Sequence, residues 1–144
     1  MKKLLVSLVF FSSCIALAAD APFKQFGNQK VFYSAFNSSF IQPNIADTYR
    51  ITRGKDKGLV NIALIKEGLL GGQSAVVTGT VSNIFAQQQT LNFFEVREGD
   101  TVYYLAPFSF ENEDFLTFKI EVKADSSSPS YSLSFQKTFY HEDS

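Results

Sequence analysis

The side chains able to do chemistry gather in three places along this 144-residue chain. Glu95 and Arg97 stand two apart in a run of strand character, so both project from one face. There an acid beside a guanidinium can bind a polar ligand or a peptide. Tyr103 follows after a turn at Glu98-Gly99-Asp100 and extends the same candidate surface. Arg50, Arg53, Lys55 and Lys57 crowd a second segment around Gly54, suited to a phosphate, a carboxylate or an anionic headgroup. Asn37 is a polar residue inside an apolar strand, as is Asn61; if buried, each needs a hydrogen-bond partner, for which loop backbone is the simplest source. The candidate binding residues are therefore Arg97, Glu95, Tyr103, Arg53 and Asn37. Each also has a plain structural reading. A Glu95–Arg97 pair stabilises strand pairing by up to about 1 kcal/mol, and a basic loop keeps a sheet edge soluble.

The remaining constellations are weaker. His141, the one histidine, falls in a tail expected to be mobile, which cannot hold a catalytic dyad or a zinc ligand in place. Ser134-Phe135-Gln136-Lys137 has the Ser-x-x-Lys spacing of penicillin-recognising enzymes, but that spacing works on a helix. On a strand its ends face opposite ways. Glu111, Glu113 and Asp114 read as a solvated turn rather than a calcium loop, because the run lacks an interleaved glycine. No catalytic residue, metal site or cofactor is assigned, and the chain is not expected to be an enzyme.

The elements that must position these residues are strands. Leu91–Phe110 reads as a β-hairpin whose Gly99 takes the positive φ of a tight reversal. Pro107 cannot donate to a ladder, so its strand must bend or lie at an edge by that point. Phe23–Phe40 carries strand signals broken by Gly27-Asn28, and Pro43–Tyr49 a short helix. Leu59–Lys66 is apolar on both faces except for Asn61, which predicts a central strand. Ala75–Phe85 alternates as a half-buried strand, and Ala86–Gln89 reads as polar connection. Phe115–Lys123 sets Leu116, Phe118, Ile120 and Val122 against Thr117, Lys119, Glu121 and Lys123, and Tyr131, Leu133 and Phe135 repeat the pattern. The count predicts an all-β, immunoglobulin-like antiparallel sandwich of about seven strands with one short helix near residues 43–49.

The first residues set the compartment. Lys2 and Lys3 precede an apolar run, Leu4–Leu17, too short to span a bilayer, and Ala16-Leu17-Ala18 has the small-x-small pattern of signal peptidase. Cleavage is expected after Ala18 or Ala19, leaving residues 19–144 as a single domain in the periplasm with no transmembrane segment. The single cysteine, Cys14, lies inside this leader, so the domain has no disulfide. Phe11-Ser12-Ser13-Cys14 loosely matches a lipobox, which makes lipidation at Cys14 the minor alternative. The full chain carries a formal charge of −1 and grows more acidic once Lys2 and Lys3 are lost. That argues against a nucleic-acid partner.

Several segments together resemble the domain of unknown function 4426 family, small secreted proteins of Gram-negative bacteria. They are Tyr33–Pro43, Arg53 with Gly58–Ile62, Phe94–Asp100 with Tyr103–Ala106, and Thr138–Tyr140. The resemblance implies a periplasmic immunoglobulin-like β domain and no established activity. The function expected is a non-enzymatic binding or protein-interaction module whose partner is an envelope protein or peptide. The alternative is a carrier of a lipid or small amphiphile within the sandwich, motivated by 16 phenylalanines. A small hydrolase using Glu95 or Asp100 has the least support, since no paired base accompanies either.

Overall fold

The computed structural model describes residues 22–125 and 127–142. The signal-peptide and Cys14 readings lie outside them. Ten strands form: β1 (Phe23–Phe26), β2 (Gln29–Asn37), β3 (Lys57–Lys66), β4 (Gly72–Gln73), β5 (Val76–Ser82), β6 (Gln88–Leu91), β7 (Phe94–Glu98), β8 (Thr101–Ser109), β9 (Asp114–Lys123) and β10 (Tyr131–Phe139). A 3-10 turn (Ser38–Phe40) and one helix, α1 (Pro43–Thr48), join β2 to β3. The first sheet has the antiparallel order β1-β2-β3-β8-β7, with β4 pairing β3, and the second has the order β10-β9-β5-β6. The expected all-β sandwich with one short helix is therefore what forms. The strand count rises from about seven to ten because β1, β4 and β6, of two to four residues, are too short for a periodic signal. Gln88 and Gln89, expected in a connection, pair in β6 with Ser82 and Val81.

Alternation in the strands builds the core between the sheets. Leu116, Phe118, Ile120 and Val122 of β9 face Val60, Ile62 and Leu64 of β3, all at most 2% exposed. Phe118 stacks on Phe135 at 4.8 Å and meets Phe108 edge-on at 5.2 Å, while Phe139 meets Phe108 at 5.2 Å and Phe110 at 5.0 Å. The phenylalanines that motivated an interior carrier thus fill the interior with one another.

The strand β3 is central, as its two apolar faces require. Its outward Leu59 belongs to a second core with Val96 and Leu105, roofed by Ala46 of α1 and by Ile51. Pro43 opens α1 at a position where no amide donor is needed. Its C-terminal end closes as a Schellman motif: the Arg50 amide donates to Asp47 O (3.3 Å) and the Ile51 amide to Ala46 O (2.8 Å). The left-handed residue of that motif, ordinarily glycine, is Arg50 at φ 56°. Its turn drops Ile51 into the second core.

Candidate functional site

The hairpin closes at Gly99 (φ 60°), and its register pairs Glu98 with Thr101, Arg97 with Val102 and Glu95 with Tyr104. Directly paired residues share a face. Glu95 and Arg97 therefore meet Tyr104, whereas Tyr103 pairs with Val96 on the other face and packs against the second core. The expected surface of Glu95, Arg97 and Tyr103 is corrected on this point. Tyr104 is the tyrosine of the group, and the two-residue turn, counted outward, carries the signal for it.

The group is a closed hydrogen-bond network. Arg97 Nη2 donates to Glu95 Oε1 (2.9 Å) and Ser74 Oγ (2.6 Å); the Tyr104 hydroxyl donates to Glu95 Oε1 (3.0 Å) and accepts from the Ala75 amide (2.8 Å). Ser74 and Ala75 are the chain crossing from β4 in one sheet to β5 in the other. The hydrogen bonds from Arg97 and then Tyr104 hold the Glu95 carboxyl below its ordinary value, and burial pushes the Tyr104 hydroxyl up. Ser74 Oγ takes its hydrogen bond from the Arg97 guanidinium, and among the described residues it bonds no carboxylate or imidazole, so the group ties the sheet crossover in place and leaves the faces of Arg97 and Glu95 half open to water.

The other candidates lie apart from it. Arg53 is exposed and donates to Ser39 O at 3.1 Å. Asn37 is buried, and its Nδ2 donates to Tyr140 O at 3.0 Å, a structural bond to chain backbone of the kind anticipated. Asn61 Oδ1, by contrast, is buried with no partner, and nothing in the structure explains it. His141 is not loose: its amide donates to Asn112 Oδ1 (2.9 Å) and its ring lies 5.9 Å from that of Phe110. Among the described residues no group of three or more His, Cys, Asp or Glu gathers.

Of the clefts that indent the surface of the described residues, three of the best formed are not lined by any of the five residues singled out from sequence. A shallow trough of about 660 Å³ lies on the second sheet beside Thr78, Thr80, Lys119 and Ser134. A cleft of about 260 Å³ sits between Asp56, Asn83, Gln87 and Glu111. The third, of about 420 Å³, brings Arg50 and Lys57 against Phe94 and Pro107. The basic segment thus splits: Arg50 and Lys57 line a cleft and Arg53 does not.

The β5–β6 connection is a further feature that sequence reasoning missed. Asn83 Oδ1 accepts from the amides of Phe85 and Gln87 (both 3.0 Å), and its Nδ2 donates to Gln87 Oε1 at 2.7 Å. Its tip nevertheless leaves Ile84 71% and Phe85 77% exposed.

No curated protein matches the chain. A crystal structure of a DUF4426 family protein from Pseudomonas aeruginosa PAO1 is similar at 31% identity and a TM-score of 0.76, covering 85% of this chain and 97% of that one. FetP of uropathogenic Escherichia coli strain F11 shares the fold at 11% identity and a TM-score of 0.57, covering 85% of this chain and 95% of its own. A copper-bound variant of FetP does so at 10% and 0.58, covering 85% and 96%. The family model described as "Domain of unknown function (DUF4426)" matches residues 23–142, so the chain belongs to the DUF4426 family.

Proposed function

We propose that this protein is a non-enzymatic binding or interaction module of the bacterial periplasm whose partner is an envelope protein or peptide. The observation that carries the reading is the β5–β6 tip. Asn83 holds its backbone rigidly, yet Ile84 and Phe85 stand in water, an arrangement that gains nothing within the chain and presents a preformed apolar contact. The hairpin group of Glu95, Arg97 and Tyr104 supports the module by fixing the sheet crossover, and Arg97 and Glu95 remain a secondary contact face.

The copper held by the FetP variant does not carry over. Copper sites are built on imidazole or sulfur donors, with oxygen donors completing Cu(II) sites, and among the described residues no three His, Cys, Asp or Glu gather to supply such a set. This sequence has one histidine, one cysteine and one methionine, and the last two are Cys14 and Met1, outside the described residues. The donors present do not fit the metal.

A photo-crosslinking residue placed at Phe85 in living cells should give a discrete adduct, while the same residue at Ser132, on the polar outer face of β10, should give none. Equal labelling at the two positions, or no adduct at Phe85, refutes the role of the tip.

A further inference from the structure

We infer that the cleft between the segment following α1 and the end of β8 is a binding site for a small amphiphilic anion, one acidic head on an apolar body. This rests on observations independent of the β5–β6 tip. Its charge is one-sided: Arg50 and Lys57 line it, no carboxylate does, and neither cation is in an ion pair among the described residues. Lys57 Nζ donates to Ser109 Oγ at 2.9 Å, a neutral partner that holds the ammonium at the cleft wall without cancelling its charge. Thr52 adds a hydroxyl beside them. The apolar part of the lining is formed by Phe94, Pro107, Phe108 and Ile51, with Phe94 and Ile51 continuous with the second core. The volume of about 420 Å³ is in the range of small-ligand sites.

The backbone excludes the most common occupant of a sheet edge. In an antiparallel strand the N–H and C=O of one residue point the same way, and residues two apart share that direction. The Ser109 amide donates to Gln89 Oε1 (2.9 Å) and the Ser109 carbonyl accepts from Gln89 Nε2 (2.7 Å). Both groups therefore point away from β3, as do those of Pro107, which has no N–H. The β7 ladder stops at Phe94 opposite Leu105, which leaves this edge free. With one donor absent and the next pair already satisfied, an added peptide strand finds only the Pro107 carbonyl to bond beyond Leu105, so a compact ligand is the better occupant.

Arg50 supplies the second line of argument. It takes the left-handed position of the helix cap that glycine occupies at least strain, and in return a cationic side chain lines the cleft.

The test uses protein purified from its own host, with octanoate, octyl phosphate and octanol as probes, followed by amide chemical shifts in NMR titrations. Octanoate or octyl phosphate should shift the amides of Arg50, Thr52, Lys57 and Phe94, and octanol should bind at least about tenfold more weakly. Which of the two acids binds tighter identifies the head as carboxylate or phosphate. Arg50→Gly and Lys57→Gln should each weaken binding about tenfold. Arg50→Gly suits the cap geometry, so its melting temperature should be no lower than that of the wild type, and a loss of binding there is not a loss of fold. Failure of both acids to shift these amides overturns the site. So does equal binding of octanol, or affinity unchanged in both variants. A negative result here leaves the crosslinking outcome at Phe85 untouched, so the two readings fail separately.

Discussion

Tyr104→Phe removes a single oxygen and keeps a ring that is only 7% exposed, so it isolates the tie between hairpin and sheet crossover. Two hydrogen bonds are lost. The Ala75 amide loses its acceptor at 2.8 Å in a part-buried position, whereas Glu95, with a side chain 39% exposed, keeps Arg97 and regains water. The Ala75 amide thus dominates, and an unsatisfied buried donor costs about 1–3 kcal/mol. Unfolding entropy of about 2.1 cal/mol/K per residue gives a domain of about 120 residues roughly 0.25 kcal/mol/K, so each kcal/mol lowers Tm by about 4 °C. The expected loss is about 4–12 °C in a calorimetric scan, with the urea m-value unchanged because the surface exposed on unfolding is the same. Tyr103→Phe is the control. The Tyr103 hydroxyl makes no hydrogen bond among the described residues, and its variant should melt within about 2 °C of the wild type, as for a surface change of about 0.5 kcal/mol. A Tyr104→Phe protein that melts no lower than the control refutes the assignment of the tie to Tyr104.

Three other perturbations probe the same architecture. Gly58→Ala puts a methyl group against the Phe108 ring, with the Cε2 atom 2.8 Å away, and overpacking there should destabilise by about 1–3 kcal/mol in urea titrations. Asn37→Ala frees the Tyr140 carbonyl and should cost about 1 kcal/mol, with faster hydrogen exchange confined to the residues around Phe139 and Tyr140. The depressed carboxyl of Glu95 contributes stability that is present above the unfolded-state value, near 4.5, and is lost as pH falls through the lower folded-state value. Unfolding measured from about pH 7 to about pH 2 should therefore show the advantage of wild type over Glu95→Gln shrinking only below pH 4.5, and an advantage constant across that range contradicts the network.

Local sequence determined the elements whose pattern one or two neighbours can satisfy. The alternation of Leu116, Phe118, Ile120 and Val122 fixes which side of β9 is buried, because a one-residue slip would turn four apolar side chains to water. Gly99 marks the hairpin turn, the two apolar faces of Leu59–Lys66 mark a central strand, and Pro43 marks the start of α1. Pro107 was legible as an edge residue for the same local reason, having no amide to offer a neighbour.

Tertiary structure decided everything that depends on register or on chain returning from a distance. The choice between Tyr103 and Tyr104 is a matter of which residue lies across from Glu95, and a shift of one exchanges a core side chain for a member of the network. The strand β6 is polar because it lies at a sheet edge, where pairing rather than burial makes the strand, so its glutamines show no periodicity. The cleft is farther still from any local pattern: Arg50 precedes β3 and Lys57 opens it, Phe94 begins β7 and Pro107 lies late in β8. Charge along the chain announced a basic segment, but only the position where β7 stops pairing decides which of its cations face an apolar wall and which, like Arg53, turn back to bond a nearby carbonyl. Strand patterns are set by burial along a few residues, whereas a site is set by which distant strands end side by side.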